Sequence, residues 1–202
     1  MKITSVEKSK NKGIYLIYID NCFAFSIRDC DAMKYGVYQD AEINEKELDF
    51  IKNQVLISFA KAEALNYISY KMRTKLEIEQ KLKEKYPFEV IEEVLEYLMG
   101  NGYINDEVYA EKFIFEKKKL GKLSRKALFY KLLEKGISKE IIEEKLDRVG
   151  YNEKDYAKKF VKKVLIKEKK DFFKTENYLY SKGFSKDTIK SVIKEETNQD
   201  GD

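Results

Sequence analysis

Residues 124–149 read SRKALFYKLLEKGISKEIIEEKLDRV, and the fold follows from the way this stretch recurs. Ala127, Leu128 and Leu132 fall at i, i+1 and i+5, and Ile141, Ile142 and Leu146 repeat that spacing, so each half carries one apolar stripe of helical period. Gly136 between them suits a left-handed C-terminal cap, while Ser138 and Glu140 supply an N-cap and an acidic first turn to the second helix. The stretch is therefore two short helices joined at a glycine.

Fifty residues earlier, Thr74, Ile78, Leu82, Lys85 and Ile91 fall against Ser124, Leu128, Leu132, Lys135 and Ile141. Forty-seven residues later, Leu179, Lys182, Gly183, Phe184, Ser185, Ile189 and Val192 fall against Leu132, Lys135, Gly136, Ile137, Ser138, Ile142 and Lys145. The three turn segments read KYPFEVIEEVLEYL, KGISKEIIEEKLDRV and KGFSKDTIKSVIKE, a repeat of helical-array length. A Tyr-Ala-x-x-Phe-aliphatic text at Tyr109 and Tyr156 fixes the phase and places one more helix ahead of each pair. Repeat one departs at its turn: Tyr86 stands where Gly136 and Gly183 give easy positive φ, so that turn must take another geometry or carry strain.

These readings predict a mainly α chain in which three tandem three-helix repeats, at 51–106, 107–151 and 152–196, form an elongated array. A small antiparallel β element with a short helix precedes them in 1–50, and a polar tail follows at 197–202. In the β element, Ile3, Ile14 and Cys22 open three apolar runs, and Asp20-Asn21 is a two-residue hairpin turn. Phe23, Phe25 and Ile27 alternate with Cys22, Ala24 and Ser26, which gives one large apolar face that needs something to pack on. Asn44 with Glu47 caps a helix over about 45–70, and Thr74 with Glu77 forms a second capping box. Asp106 and Asn152 are the expected caps of the first helices of repeats two and three, and Tyr103 and Ile104 are expected between modules as core. Gly100, Gly102 and Gly121 mark breaks short enough for stacked modules.

Composition excludes much chemistry. The chain has no histidine, and its two cysteines, Cys22 and Cys30, are spaced unlike any common metal site, so no metal, cofactor or histidine-based triad is expected. Two reduced thiols in or near the sheet fit better. No apolar run approaches a membrane span, and residues 1–12 are too polar for a signal peptide, so a cytoplasmic protein is expected. The net charge of +4 conceals an asymmetry: between Lys112 and Lys182, 22 Lys or Arg stand against 11 Asp or Glu, a net +11 that leaves −7 for the remainder. A polyanionic partner is one reading of that half, and solvated helix faces rich in lysine are the other.

The texts Ala-Leu-x-Tyr-Ile-Ser at 64–69, Arg73-Thr74-x-x-Glu77, Gly-Tyr-Ile-Asn-Asp at 102–106 and Lys-Gly-Ile at 135–137 resemble the RecX family of regulatory proteins, over about 60–193. The resemblance implies three tandem three-helix modules that bind the RecA recombinase filament on single-stranded DNA and inhibit it, hence regulation of recombination, repair and the SOS response, not catalysis. It implies a RecA partner, with contact to single-stranded DNA as an addition, no membrane and a monomer.

Two lysine clusters and one arginine are the candidate partner or DNA contacts. Lys117, Lys118, Lys119, Lys122, Arg125 and Lys126 form a basic knot at the start of a helix whose dipole favours anions; a solvated loop explains them equally well. Lys158, Lys159, Lys162, Lys163, Lys167, Lys169 and Lys170 place like charges at i, i+4, each pair costing ~0.2–0.5 kcal/mol that a partner would relieve. Arg73 either reaches across an interface or pairs with Glu77 or Glu79. Glu92, Glu93, Glu143 and Glu144 repeat in phase without any catalytic companion. The alternative function is direct nucleic-acid binding by helix-turn-helix-like pairs such as 124–149, but Glu140, Glu143, Glu144 and Asp147 on the second helix would repel phosphate in a groove.

Overall fold

The computed structural model describes residues 1–120, 123–150, 152–167 and 172–198, with the side chains of 120, 160, 162–167, 172 and 196–198 excepted. Three strands and ten helices follow one another among the described residues, and they divide into two compact units: Met1–Lys71 with Ile78–Tyr103, and Met72–Glu77 with Ile104–Asp202.

In the first unit, β1 (Ile3–Lys8), β2 (Ile14–Ile19) and β3 (Cys22–Arg28) form an antiparallel meander in the order β1-β2-β3. Asp20 and Asn21 both take positive φ, 49° and 65°, as a type I′ turn requires. The expected apolar face of β3 holds for Phe25 and Ile27 but not for Phe23, which is 57% exposed. The pairing steps from Ile17↔Phe25 to Tyr18↔Phe23, so Ala24 is an extra, bulged residue that turns toward the core and sends Phe23 outward onto Tyr18.

A sheet this small needs a cover, and α1 (Asp29–Lys34) and the first half of α2 (Glu45–Tyr70) provide it. Leu48, Ile51 and Val55 of α2 bury against Ile3, Ile17, Phe25 and Ile27. The expected capping box opens α2: Glu47 N–H donates to Asn44 Oδ1 at 3.0 Å, and Asn44 N–H donates to Glu47 Oε2 at 3.1 Å. Arg28 ties sheet to helix, donating to the Ser58 carbonyl at 2.8 Å and to Asp31 at 3.2 Å, while the Ser58 hydroxyl donates to Asp31 at 2.6 Å.

The second half of α2 packs along α4 (Phe88–Gly100), where Ala60 and Ala64 have no exposed surface and the methyl-sized side chains allow close approach. At the first repeat's turn, the N–H groups of Lys85 and Tyr86 both donate to the Leu82 carbonyl and Pro87, at φ −60°, leads into α4. Tyr86 is not among the residues with positive φ, so the turn takes another geometry rather than strain. Its hydroxyl donates to Glu63, which also receives Lys85 at 2.7 Å. Tyr103 departs from the core expectation: it is 49% exposed and lies against Tyr97, while Ile104 is buried.

The second unit contains α5 (Asp106–Leu120), α6 (Arg125–Leu133), α7 (Lys139–Arg148), α8 (Glu153–Lys167), α9 (Phe172–Ser181) and α10 (Lys186–Asn198), together with the residues that open α3 (Lys75–Leu82). Ala110, Ile114, Leu128, Leu132, Ile137, Ile142 and Leu146 form one core; Ala157, Val161, Leu179, Phe184, Ile189 and Val192 form the equivalent one. Both turns close by the same 6→1 hydrogen bond, Ile137 N–H to Leu132 O and Phe184 N–H to Leu179 O, each at 3.2 Å. Gly136 and Gly183 supply φ of 79° and 84°.

One step relates consecutive modules. A Cβ on Gly136 would lie 2.6 Å from Leu76 Cβ at the start of α3, and a Cβ on Gly183 would lie 2.8 Å from Ser124 Oγ at the start of α6. The first residue of the following module's first helix reaches the same place: Asp106 accepts Lys75 N–H at 3.0 Å, and Glu153 lies within the field of Arg125. This corrects the expected cap. Asn105, not Asp106, caps α5 by accepting Val108 N–H at 3.0 Å, which leaves Asp106 to serve the start of α3. Asn152 caps α8 as expected. Lys145 occupies the position of Val192; its stem is buried and its ammonium bonds Glu107 at 2.9 Å and Glu144 at 3.0 Å. Among the described residues no helix is long and apolar enough to cross a membrane.

Candidate functional site

The first lysine cluster sits where α5 ends and α6 begins, and its members divide by what they touch. Lys118 donates to the Val149 carbonyl at 2.7 Å, capping the C-terminal end of α7, and Arg125 pairs with Asp147 at 2.7 Å. Lys117 is half-buried over the Phe113 ring at 5.2 Å. Lys119 and Lys126 are exposed. Lys122 lies outside the described residues.

The second cluster lies on and after α8. Lys158 meets Glu195 at 2.7 Å and Lys154 meets the same carboxylate, one turn apart on the same side of the helix. Hydrogen bonds from Lys154 and Lys158 hold the Glu195 carboxyl down at about 2. Part of the repulsion along α8 is thus relieved inside the chain. Lys159 is exposed and approaches the Tyr156 ring at 5.7 Å. Lys162, Lys163 and Lys167 belong to α8 but their side chains lie outside the described residues, as do Lys169 and Lys170 altogether.

Arg73 is half-buried immediately before the Thr74 cap. Glu77 accepts Thr74 N–H at 3.2 Å through one oxygen and Lys135 Nζ at 2.5 Å through the other. Burial pushes the Glu77 carboxyl up, but the Lys135 hydrogen bond, the Thr74 N–H and the charges of Lys135 and Arg73 outweigh it, leaving the group below its ordinary range. Asp106, a carboxylate with fewer donors, is pushed up by burial. The Arg73 charge is, with that of Lys135, among those that hold the Glu77 carboxyl down.

Glu93 pairs with Lys61 at 3.3 Å and Glu144 with Lys145, while Glu92 and Glu143 face solvent. No group of three or more Cys, Asp or Glu side chains among the described residues is placed to hold a metal ion. Cys22 and Cys30 are free and exposed. A cleft of about 300 Å³ in the first unit is floored by Ile3, Val37, Ile43 and Ile51, and of its carboxylates Glu47 is committed to the α2 capping box.

The apolar stripes predict the buried faces, so they pass over residues on the opposite side. Tyr130 is 53% exposed, Phe173 74% and Tyr180 60%. The signal for them is an aromatic residue out of phase with its own helix's stripe.

Residues 60–98 match the family model described as the first three-helix domain of RecX, and residues 105–146 match the second. The regulatory protein RecX of Caldanaerobacter subterraneus subsp. tengcongensis is 32% identical over 96% of this chain and 98% of its own length. A crystal structure of a regulatory protein RecX aligns with a TM-score of 0.70 at 27% identity, covering 96% of this chain and 98% of that one. The crystal structure of RecX from Lactobacillus salivarius aligns with a TM-score of 0.60 at 30% identity, covering 69% of this chain and 96% of that one.

Proposed function

The chain belongs to the RecX family of regulatory proteins, and from that premise we propose that it binds the RecA recombinase filament on single-stranded DNA and inhibits its activity, restraining recombination, repair and the SOS response. The observation that carries this reading is the near-full-length likeness to proteins named for regulation, built from the same three-helix modules. The relatives' names speak of control, so the protein acts by binding rather than by catalysis.

Attraction to the filament comes from the net +11 span between Lys112 and Lys182. Lys119, Lys126 and Lys159 face solvent and are the contacts this reading favours, with contact to DNA phosphate as a lesser addition. Lys118, Arg125 and Lys158 serve partners within their unit. The protein acts in the cytoplasm as a monomer. Direct groove reading by α7 is disfavoured, because Glu140, Glu143 and Asp147 all lie on its exposed surface.

ATP turnover by the cognate recombinase on single-stranded DNA tests the proposal. Turnover should fall as the chain approaches the recombinase in concentration; unchanged turnover at stoichiometric chain would refute it.

A further inference from the structure

α6 and α9 are the second helices of consecutive modules, and at an offset of forty-seven residues Leu128 and Leu132 match Thr175 and Leu179, all four without exposed surface. Residues at i, i+4 and i+7 on the opposite side of each helix form a single face. On α6 these are Lys126, Tyr130 and Leu133, and on α9 they are Phe173, Asn177 and Tyr180. Four of the six are large apolar or aromatic side chains, with exposures from 36% at Leu133 to 74% at Phe173.

The start of α6 meets the end of α9. Ser124 N–H, at the start of α6, donates to the carbonyl of Lys182, just past the end of α9, at 3.2 Å, and Gly183 approaches Ser124 too closely for a Cβ. The same step brings Gly136 onto Leu76. Residues at equivalent positions of the two helices are therefore related by the module step, and each face carries two large exposed apolar or aromatic side chains, Tyr130 and Leu133 on α6 and Phe173 and Tyr180 on α9. Lys126 on the α6 face and Lys131 beside Tyr130 are both exposed, and neither has a carboxylate partner among the described residues.

We propose that the outer faces of α6 and α9 are the docking surface for an acidic protein surface with apolar hollows, presented repeatedly by identical subunits. This deepens the reading above and rests on it: the subunits are those of the recombinase filament. Aromatic and aliphatic anchors ringed by lysine suit such a surface, because buried apolar groups supply affinity and the rim charge supplies attraction. Bases would also stack on aromatic rings, but Leu133 offers no such platform, and four arginine-free apolar anchors lack the bidentate phosphate grip of a nucleic-acid site.

The test uses the full chain carrying Tyr130→Ser with Leu133→Ser, Phe173→Ser with Tyr180→Ser, and all four together. The half-inhibitory concentration in the recombinase ATPase assay is read beside the anisotropy of labelled oligo(dT) with the chain alone. Each pair should raise the half-inhibitory concentration ~10-fold or more, with oligo(dT) affinity and melting temperature kept, because the side chains are exposed. Should a serine variant melt early, Tyr130→Lys with Tyr180→Lys reads the same surface without shortening the side chains. Wild-type inhibition that the four-residue variant retains would overturn the inference alone. A parallel loss of oligo(dT) affinity would overturn it in favour of a nucleic-acid surface. Absence of inhibition by the wild-type chain would overturn the functional reading and this inference with it.

Discussion

At Gly136 two demands meet in one residue: a backbone in the left-handed region at φ 79°, and an approach to Leu76 that leaves no space for a methyl group. Gly102, at φ 70°, carries the first demand without the second, since nothing lies within 4 Å of its missing Cβ. Gly102→Ala should therefore cost about 1 kcal/mol, and Gly136→Ala about 2–4 kcal/mol, because overpacking adds to the backbone penalty. Urea unfolding midpoints compare the two. Glu77 gives the pH dependence of the same interface. Its folded pKa is depressed, so its contribution is fully present above the unfolded value of about 4.3 and is lost as pH falls through the folded value. Glu77→Gln should lower the unfolding midpoint at pH 7, and the gap from wild type should close as the buffer is taken below about pH 4. A gap that persists in acid would show that the Lys135 and Arg73 charges do not act through the Glu77 carboxylate.

Among the elements, local chemistry was legible wherever a residue type admits one use. Asp20-Asn21 has few outlets other than a positive-φ turn, and Asn44 with Glu47 and Thr74 with Glu77 make the boxes their spacing announces. Asn105-Asp106 was ambiguous because either side chain can cap a helix, and the choice is made by the neighbouring module, whose Lys75 N–H takes Asp106. The bulge at Ala24 was equally hidden, since alternation of apolar residues carries no mark of an extra residue in the ladder. Lys145 is a charged residue at a core position, because Glu107 on α5 neutralises it from outside its own helix. The cap assignment has a direct consequence. Asn105→Ala should destabilise the chain by about 1 kcal/mol, the usual worth of an N-cap, in chemical denaturation.

For the molecule as a whole, the mainly helical fold was readable because buried stripes repeat, whereas the binding surface was not, because every lysine looks alike in sequence. Lys118, Arg125 and Lys158 turn out to serve carbonyl and carboxylate partners within the second unit, while Lys119 and Lys126 reach solvent. Lys119→Glu with Lys126→Glu should weaken filament binding several-fold at low salt and less at high salt, leaving the melting temperature near wild type, as expected for rim charges that act by attraction. Lys118→Met should instead lower the melting temperature, because the Val149 carbonyl loses its donor. The central claim, that the partner is the filament rather than the DNA inside it, is tested most directly by anisotropy of the labelled full chain titrated with recombinase assembled on single-stranded DNA and, separately, with the bare DNA. The account predicts saturable binding to the filament at moderate salt and at least ~10-fold weaker binding to the bare strand; equal affinity for both would contradict it.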